Sequence, residues 1–498
     1  TEKDIVMIHP RHASNNIDIL SFNRLAYRIF EELDIDNPDI IDELDKIIIL
    51  RKISSNLELK AWKKQIQKTG FIENIKSLIS EFIQYDISDD FIKEKLDDKK
   101  INVLLKLKLN DIYLLKKGFI EFIKGKYITG EQLLDILNKN ILRSNILKDG
   151  VILFDGFTGF TPIQSRIICN LMKIAGEVRF SVTLGEGMAP EAKLSQSDLF
   201  FMSSKMISGI VDTTDAKRLS DIYLNSGKVY RFKDSKDLAF FEKHFLRYDG
   251  KTAKDVNDIE INYCQSPLNE IDFVVNKILQ LVKDEGYRYR DIAVIYGDLE
   301  NISDSLLNRF NQLEIPCYLD EKMEVNNNEL VEFINACIGM VSENFSYDGV
   351  NRYLRLGLCN FDLRNASILD NYLLQTGIRG YKRLHEDFTY LPKNFEETDL
   401  EELNEFKREA FDNISEIYKA LNKSKINVKE VFDAFREVFS KLDIENELER
   451  LKEILEAKND IKRAREYEGI YEEILNLFNK LERILGGEKI TKKELIDI

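Results

Sequence analysis

Val151-Ile152-Leu153-Phe154-Asp155-Gly156-Phe157-Thr158-Gly159-Phe160-Thr161-Pro162-Ile163-Gln164 decides how this chain is read. Its first four residues are an unbroken apolar run between Gly150 and Asp155-Gly156. Such a run predicts a strand buried on both faces of a parallel sheet. Pro162 suits the first turn of a helix, where a missing N–H costs no hydrogen bond, and apolar spacing carries that helix from Ile163 to Ile174. A second strand is expected from Val178 to Leu184, completing a βαβ unit.

The same alternation returns downstream. Ile259-Glu260-Ile261-Asn262-Tyr263 reads as a strand and Glu270 to Val282 as an amphipathic helix. Asp291-Ile292-Ala293-Val294-Ile295-Tyr296 reads as a buried strand, Leu299 to Leu313 as a helix, and Ile315-Pro316-Cys317-Tyr318-Leu319 as a third strand. Alternation of this kind implies an α/β fold with helices over a parallel sheet. Around the two cores the texture is helical. Ile17 to Leu20 reads as a short strand that leads, through the N-cap residue Ser21, into a helix with Leu25, Ala26, Ile29, Phe30 and Leu33 at helical spacing. From about Asn37 to Asn145 apolar residues recur three and four apart, with Lys and Asp between them, as in an all-helical insertion. After Leu358 acid-rich helices resume, Glu396 to Glu409 among them, and no strand signal recurs.

Composition narrows the function classes. A length of 498 residues, at ~150 per domain, predicts three or four domains. Lys and Arg number 72 against 87 Asp and Glu, a net charge of −15, which argues against a general nucleic-acid coat or a polybasic membrane binder. Five cysteines (Cys169, Cys264, Cys317, Cys337, Cys359) without a CxxC pair exclude a disulfide scaffold and point to the reducing cytoplasm. No segment nears the ~18 consecutive apolar residues of a membrane span, so no membrane partner is expected. The start at Thr1 without a Met, and the end on Leu495-Ile496-Asp497-Ile498, suggest a piece of something longer.

Asp155 falls at the carboxyl end of the first strand, where open α/β sheets place their ligands. A carboxylate there suits Mg²⁺ in a nucleotide-hydrolysing domain; equally, Asp-Gly makes an ordinary turn. The stretch resembles motif II of the UvrD-like (superfamily 1) helicases, with Asp155 as the Mg²⁺ aspartate, Phe157 as the aromatic and Gln164 as the distal glutamine. Gly156 stands where those motors carry the catalytic glutamate, and a glycine cannot accept a proton from water. Asp155 to Pro162 is more particularly similar to the AddB (RexB) family, the B-type subunits of bacterial ATP-dependent helicase/deoxyribonucleases. Ile19 to Arg28 resembles that family's DNA-touching motif, and Asp291 to Gly297 resembles motif IV, with Tyr296 as the aromatic that packs on adenine. Gly297 replaces the arginine for the γ-phosphate. Asn351 to Leu358 resembles the end of the second motor-like domain.

The resemblance implies an α/β fold of two RecA-like parallel-sheet domains of the P-loop NTPase type with large all-helical insertions. Residues 1–36 and 147–228 would be domain 1A, 37–146 the insertion 1B, 229–358 domain 2A, and 359–498 part of helical domain 2B. It implies a degenerate nucleotide site at Asp155, Gly156, Gln164, Tyr296 and Gly297, and DNA contacts from Ser21, Phe22, Arg24, Tyr27, Phe157 and Phe160. Mg²⁺, ATP and a 4Fe–4S cluster would belong to the full-length protein, with no catalytic residue, metal or cofactor in this stretch. Neither Gly250-Lys251-Thr252 nor Ser226-Gly227-Lys228-Val229 completes a phosphate-binding loop, so both read as turns.

The implied function is a helicase-like scaffold that has lost hydrolysis. It would guide single-stranded DNA and scan it for a regulatory recombination sequence during double-strand break repair. Its expected partners are an AddA-type helicase-nuclease, in a heterodimer, and single- and double-stranded DNA. The full-length protein would also carry an exonuclease. Phe22, Arg24 and Tyr27 combine aromatic faces with a guanidinium, as strand binding requires; read without the family, the rings pack at a strand-to-helix junction. Phe157 and Phe160 read as packing under the sheet. Two rivals stay open: an active superfamily 1 helicase fragment, and a protein-docking scaffold that binds no DNA. The lysines Lys116, Lys117, Lys124 and Lys126 read as a solvated helix face.

Overall fold

A computed structural model of the chain describes residues 2–10, 17–66, 68–185, 187–224, 231–247, 249–297, 301–319, 325, 328–359, 362–393, 399–458, 460–486 and 489–497. Helices make up 60% of it. The chain divides into two compact units, Thr1–Leu219 with Asn326–Ile498, and Ser220–Val325.

In the first unit, the Ser21 hydroxyl accepts the Arg24 N–H at 3.3 Å and starts α1 (Phe22–Glu32). Ala26, Ile29 and Phe30 form its buried face. The stretch that follows is helical as expected: α2 (Glu43–Ser54), the helices Thr69–Gln84 and Asp89–Asp97, α3 (Val103–Ile123) and α4 (Gly130–Asn140). A two-residue parallel bridge, Ile40–Ile41 to Ile128–Thr129, closes it. Asp111 on α3 is fully buried and accepts the N–H groups of Lys60, Ala61 and Trp62 at 2.9, 2.7 and 3.0 Å. Three bonds satisfy a carboxylate that burial would otherwise penalise.

The βαβ unit forms where the apolar run and Pro162 predict it. β1 (Val151–Asp155) pairs in parallel with β2 (Glu177–Ser181), from Val151↔Glu177 to Asp155↔Ser181, and α5 (Pro162–Ile174) makes the crossover. A capping box starts α5: Thr161 Oγ1 accepts the Gln164 N–H (3.4 Å) and Gln164 Oε1 accepts the Thr161 N–H (3.0 Å). The core joins Ala26, Ile29 and Phe30 to Leu133 and Leu137 on α4, Phe154 on β1, and Ile167, Ile168 and Leu171 on α5. One expectation needs correction. β1 is covered on one face only: Ile152 and Phe154 turn to the core, while Val151 and Leu153 are 67% and 62% exposed. Alternate strand residues face opposite ways, and the packed helices lie on the Phe154 side.

The rest of the first unit is a helical array. It runs through α6 (Glu329–Ser342), α7 (Tyr347–Leu354), α8 (Leu363–Thr376) and α9 (Tyr381–His385). The helices Asp399–Phe411 and Ser415–Leu421 follow, then α10 (Val428–Lys441), Ile444–Ala457 and α11 (Ile470–Leu485). A two-residue antiparallel bridge, Ile426–Asn427 to Lys489–Ile490, occurs where no strand was expected. The start of the expected helix at Glu396 lies outside the described residues. Among the described residues no helix is long and apolar enough to cross a membrane.

In the second unit the helices Pro267–Asp284 and Ser303–Gln312 stand where predicted and share a core of Ile271, Val275, Ile278, Leu306, Phe310 and Ile315. Leu299 and the turn Ser226–Val229 lie outside the described residues. The three predicted strands are not strands here. Among the described residues, 259–263, 291–296 and 315–319 form no ladder, and neither does 17–20 in the first unit. Their apolar residues explain why. Ile261, Tyr263, Ile295 and Tyr318 are 82–99% exposed, and parallel strands persist where both sheet faces are covered.

Candidate nucleic-acid interface

Three of the proposed contact residues, Phe22, Phe157 and Phe160, meet in one aromatic cluster at the carboxyl end of β1. Phe154 is its hub, with ring centroids 6.0 Å from Phe22, 5.9 Å from Phe157, 5.7 Å from Phe160 and 5.0 Å from Phe180. Phe157 and Phe160 lie 4.9 Å apart and both are half-buried. Five rings at these separations form a packed edge-and-face cluster. It holds the loop after β1 against the start of α1.

The structure brings Phe22, Phe157 and Phe160 together but sends Arg24 elsewhere. At 3.6 residues per turn, Arg24 points about 200° from Phe22 around α1. Phe22 shares the direction of Ala26 and Ile29 and is half-buried, whereas Arg24, Tyr27, Arg28 and Glu31 form the solvent face. Arg24 has no ion-pair partner among the described residues. Arg28 pairs with Glu31 at 3.3 Å. Tyr27 is 42% exposed, and its ring meets Phe30 edge-on at 6.5 Å. A cleft of about 390 Å³ on its far side carries the carboxylates of Glu31 and Asp34. Phosphate is repelled there, so a strand passing Tyr27 would lie on the Arg24 side. Ser21 is occupied as the N-cap.

The nucleotide-type residues behave differently from one another. Asp155 is exposed, and no cluster of three possible metal ligands occurs among the described residues. Gly156 has φ +75° and donates its N–H to Ser181 O at 3.3 Å. A glutamate in that left-handed position would be strained by about 1 kcal/mol or more. Gln164 is engaged in the capping box. A lone carboxylate beside a left-handed glycine and an occupied glutamine do not fit a Mg²⁺–nucleotide site. In the second unit, the half-buried Tyr296 packs on that unit's own core. A Cβ at Gly297 would meet nothing within 4 Å, so space does not explain a glycine there.

Other candidates resolve into structure. Lys116 is buried and bonds Asp89 (2.7 Å) and Ile87 O (2.9 Å). Lys117 pairs with Glu121 at 4.0 Å, and Lys126 lies 5.3 Å over Phe122. Gly250-Lys251-Thr252, read as a turn, is irregular chain here: Gly250 has φ +70° and the Lys251 N–H is donated to Asp249 at 3.2 Å.

One positioning residue went unnoticed in the sequence. Glu32, the last residue of α1, accepts the Ser144 hydroxyl (2.6 Å) and the N–H groups of Asn145 (2.5 Å) and Ile146 (3.0 Å). It thereby staples the interface helix to the segment that enters β1. Burial works to raise its pKa, but these bonds, with Arg28, outweigh it and hold the carboxyl below its usual 4.5. A depressed folded pKa stabilises above the unfolded value and is lost as pH falls through the folded one. Glu32→Gln is therefore expected to be less stable than wild type near neutrality. From about pH 4.5 downwards the gap should close, as melting curves at stepped pH will record. A gap constant across that range would refute the staple.

Comparison with known proteins supplies the family. A family model described as "ADDB, N-terminal" matches residues 1–242. A protein of Lachnoclostridium phytofermentans is 33% identical over 510 residues, covering 100% of this chain and 44% of its own length. A relative from Clostridium tetani is 30% identical, with 100% and 45% covered, and one from Alkaliphilus metalliredigens is 30% identical, with 99% and 44% covered. All three carry the name of the B subunit of an ATP-dependent helicase/deoxyribonuclease. The chain spans less than half the length of these curated relatives. From the Asp155–Pro162 stretch to the matches along this whole chain, these similarities agree, and the chain belongs to the AddB family of helicase/deoxyribonuclease B subunits.

Proposed function

We propose that this chain is the helicase-like, non-hydrolysing part of a helicase/deoxyribonuclease, and that it guides a single DNA strand along α1. The observation that carries this reading is the solvent face of that helix: Arg24, without an ion-pair partner among the described residues, beside a 42% exposed Tyr27. A guanidinium for phosphate and a ring for base stacking are the two contacts a sequence-tolerant strand binder needs. The turn at Gly156 supports the loss of hydrolysis, because it offers no general base and disfavours one. The finer proposal has two RecA-like lobes, an AddA-type partner that supplies the motor, and scanning of the strand for a regulatory sequence in double-strand break repair.

Fluorescence anisotropy with labelled oligo-dT tests it. Arg24→Ala with Tyr27→Ala should weaken binding by roughly tenfold, the loss expected for one stacked base and one phosphate contact. Phe22→Leu, which keeps the core filled, should leave affinity within about twofold if stacking comes from Tyr27. Unchanged binding by the double variant removes α1 from the path. Turnover of ATP by the chain alone, abolished by Asp155→Asn, would instead restore an active motor.

A further inference from the structure

We propose that the turn and short helix from Gly377 to His385 form a second binding surface, which takes the phosphodiester backbone of a nucleic acid. The inference rests on the DNA reading above and adds a site to it. Residues 351–385 hold six Lys and Arg against two Asp, in a chain of net charge −15. Several arginines elsewhere are captured by carboxylates. Arg166 pairs with Asp86 (2.7 Å), Arg309 with Asp272 (2.7 Å) and Arg436 with Glu482 (2.6 Å). Arg379, Lys382 and Arg383 are all exposed. Lys382 touches Glu386 at 3.9 Å, and neither arginine has an ion-pair partner among the described residues.

The backbone beneath these cations is tightly held. Gly377 ends α8 at φ +66° and Gly380 adopts φ +89°, two conformations that glycine takes without strain. Gly380 donates its N–H to Phe345 O at 3.2 Å. The Tyr381 ring stacks on Tyr418 at 3.4 Å and 7°, and lies 5.3 Å from the fully buried Phe345. Three cations within five residues are thus displayed on a fixed frame, which lowers the ordering cost of binding. Guanidinium forks match phosphate oxygens bidentately. A phosphodiester is favoured over a carboxylate-bearing protein. Glu386 and Asp387 are close in sequence yet pair with neither arginine, and exposed carboxylate pairs contribute little. A polyphosphate chain gains counterion release at every contact.

The test measures oligo-dT binding by the 498-residue chain across a salt series. With Arg379→Gln, Lys382→Gln and Arg383→Gln together, the slope of log K against log salt should fall by about 2, with roughly tenfold weaker binding at low salt. Lys64→Gln, Lys99→Gln and Lys100→Gln, an equal loss of exposed charge, should leave the slope unchanged. Arg379→Lys with Arg383→Lys should restore the slope while recovering only part of the affinity. An unchanged slope in the triple Gln variant, with wild type and the Arg24/Tyr27 variant behaving as expected, overturns this site alone. Wild type that binds no oligo-dT overturns both readings. Loss of polyglutamate binding without any change towards oligo-dT assigns the surface to an acidic protein instead.

Discussion

Phe154→Ala is expected to destabilise the first unit by about 3–5 kcal/mol, the cost of removing a buried aromatic from a packed core. The residue is 9% exposed and touches four other rings, so its removal opens a cavity that no single neighbour can fill. Phe180 sits flat against it at 5.0 Å and 10°, while Phe157 and Phe160 meet it edge-on at 73° and 76°. Those two rings belong to the loop after β1 and have no helix of their own to hold them. The loss should therefore spread into the interface: chemical denaturation reads the stability, and hydrogen exchange reads protection across residues 156–161. We expect protection there to fall in Phe154→Ala and to survive in Phe154→Leu, which keeps most of the volume. A cost below about 1 kcal/mol would mean the cluster is a surface patch and not a core.

How much of this was legible in the sequence depends on the range of the interaction. The βαβ unit was readable because every signal was local: an apolar run, Asp-Gly, Pro162 at the helix start and helical spacing. The inward direction of Phe22 was readable too, since helical periodicity places it with Ala26 and Ile29. The family motif drew attention to the residue type and away from the face. Strand formation at 259–263, 291–296 and 315–319 was not readable, because an apolar extended segment encodes a propensity and not a partner. Glu32 escaped notice for the same reason. Its hydrogen-bond partners lie 112–114 residues away, and no spacing rule reaches that far.

A contact of still longer reach gives the second large effect. Arg483→Met should cost about 2–3 kcal/mol, somewhat less than breaking a fully buried pair, since the Arg483 side chain is 36% exposed. Arg483 on α11 meets Asp45 on α2 across 438 residues of sequence. It also bonds Asp39 at 3.0 Å and lies 5.8 Å from the Tyr127 ring, whose hydroxyl donates to Arg483 O at 2.9 Å. Asp45 is 1% exposed. Its remaining bond is the capping box with Asp42, where it accepts the Asp42 N–H at 3.1 Å, and its Oδ1 has no hydrogen-bond partner. Removing Arg483 therefore strands a buried carboxylate, and the cost is that charge's isolation more than the pair's own attraction. The distinction can be measured. Asp45→Asn in the Arg483→Met background should recover about 1 kcal/mol, because the amide oxygen can still accept the Asp42 N–H while the buried charge is gone. If the double variant is as unstable as the sum of the singles, the two side chains are not coupled. The closure between α11 and α2 would then rest on apolar packing and on Lys480–Asp42 at 2.5 Å.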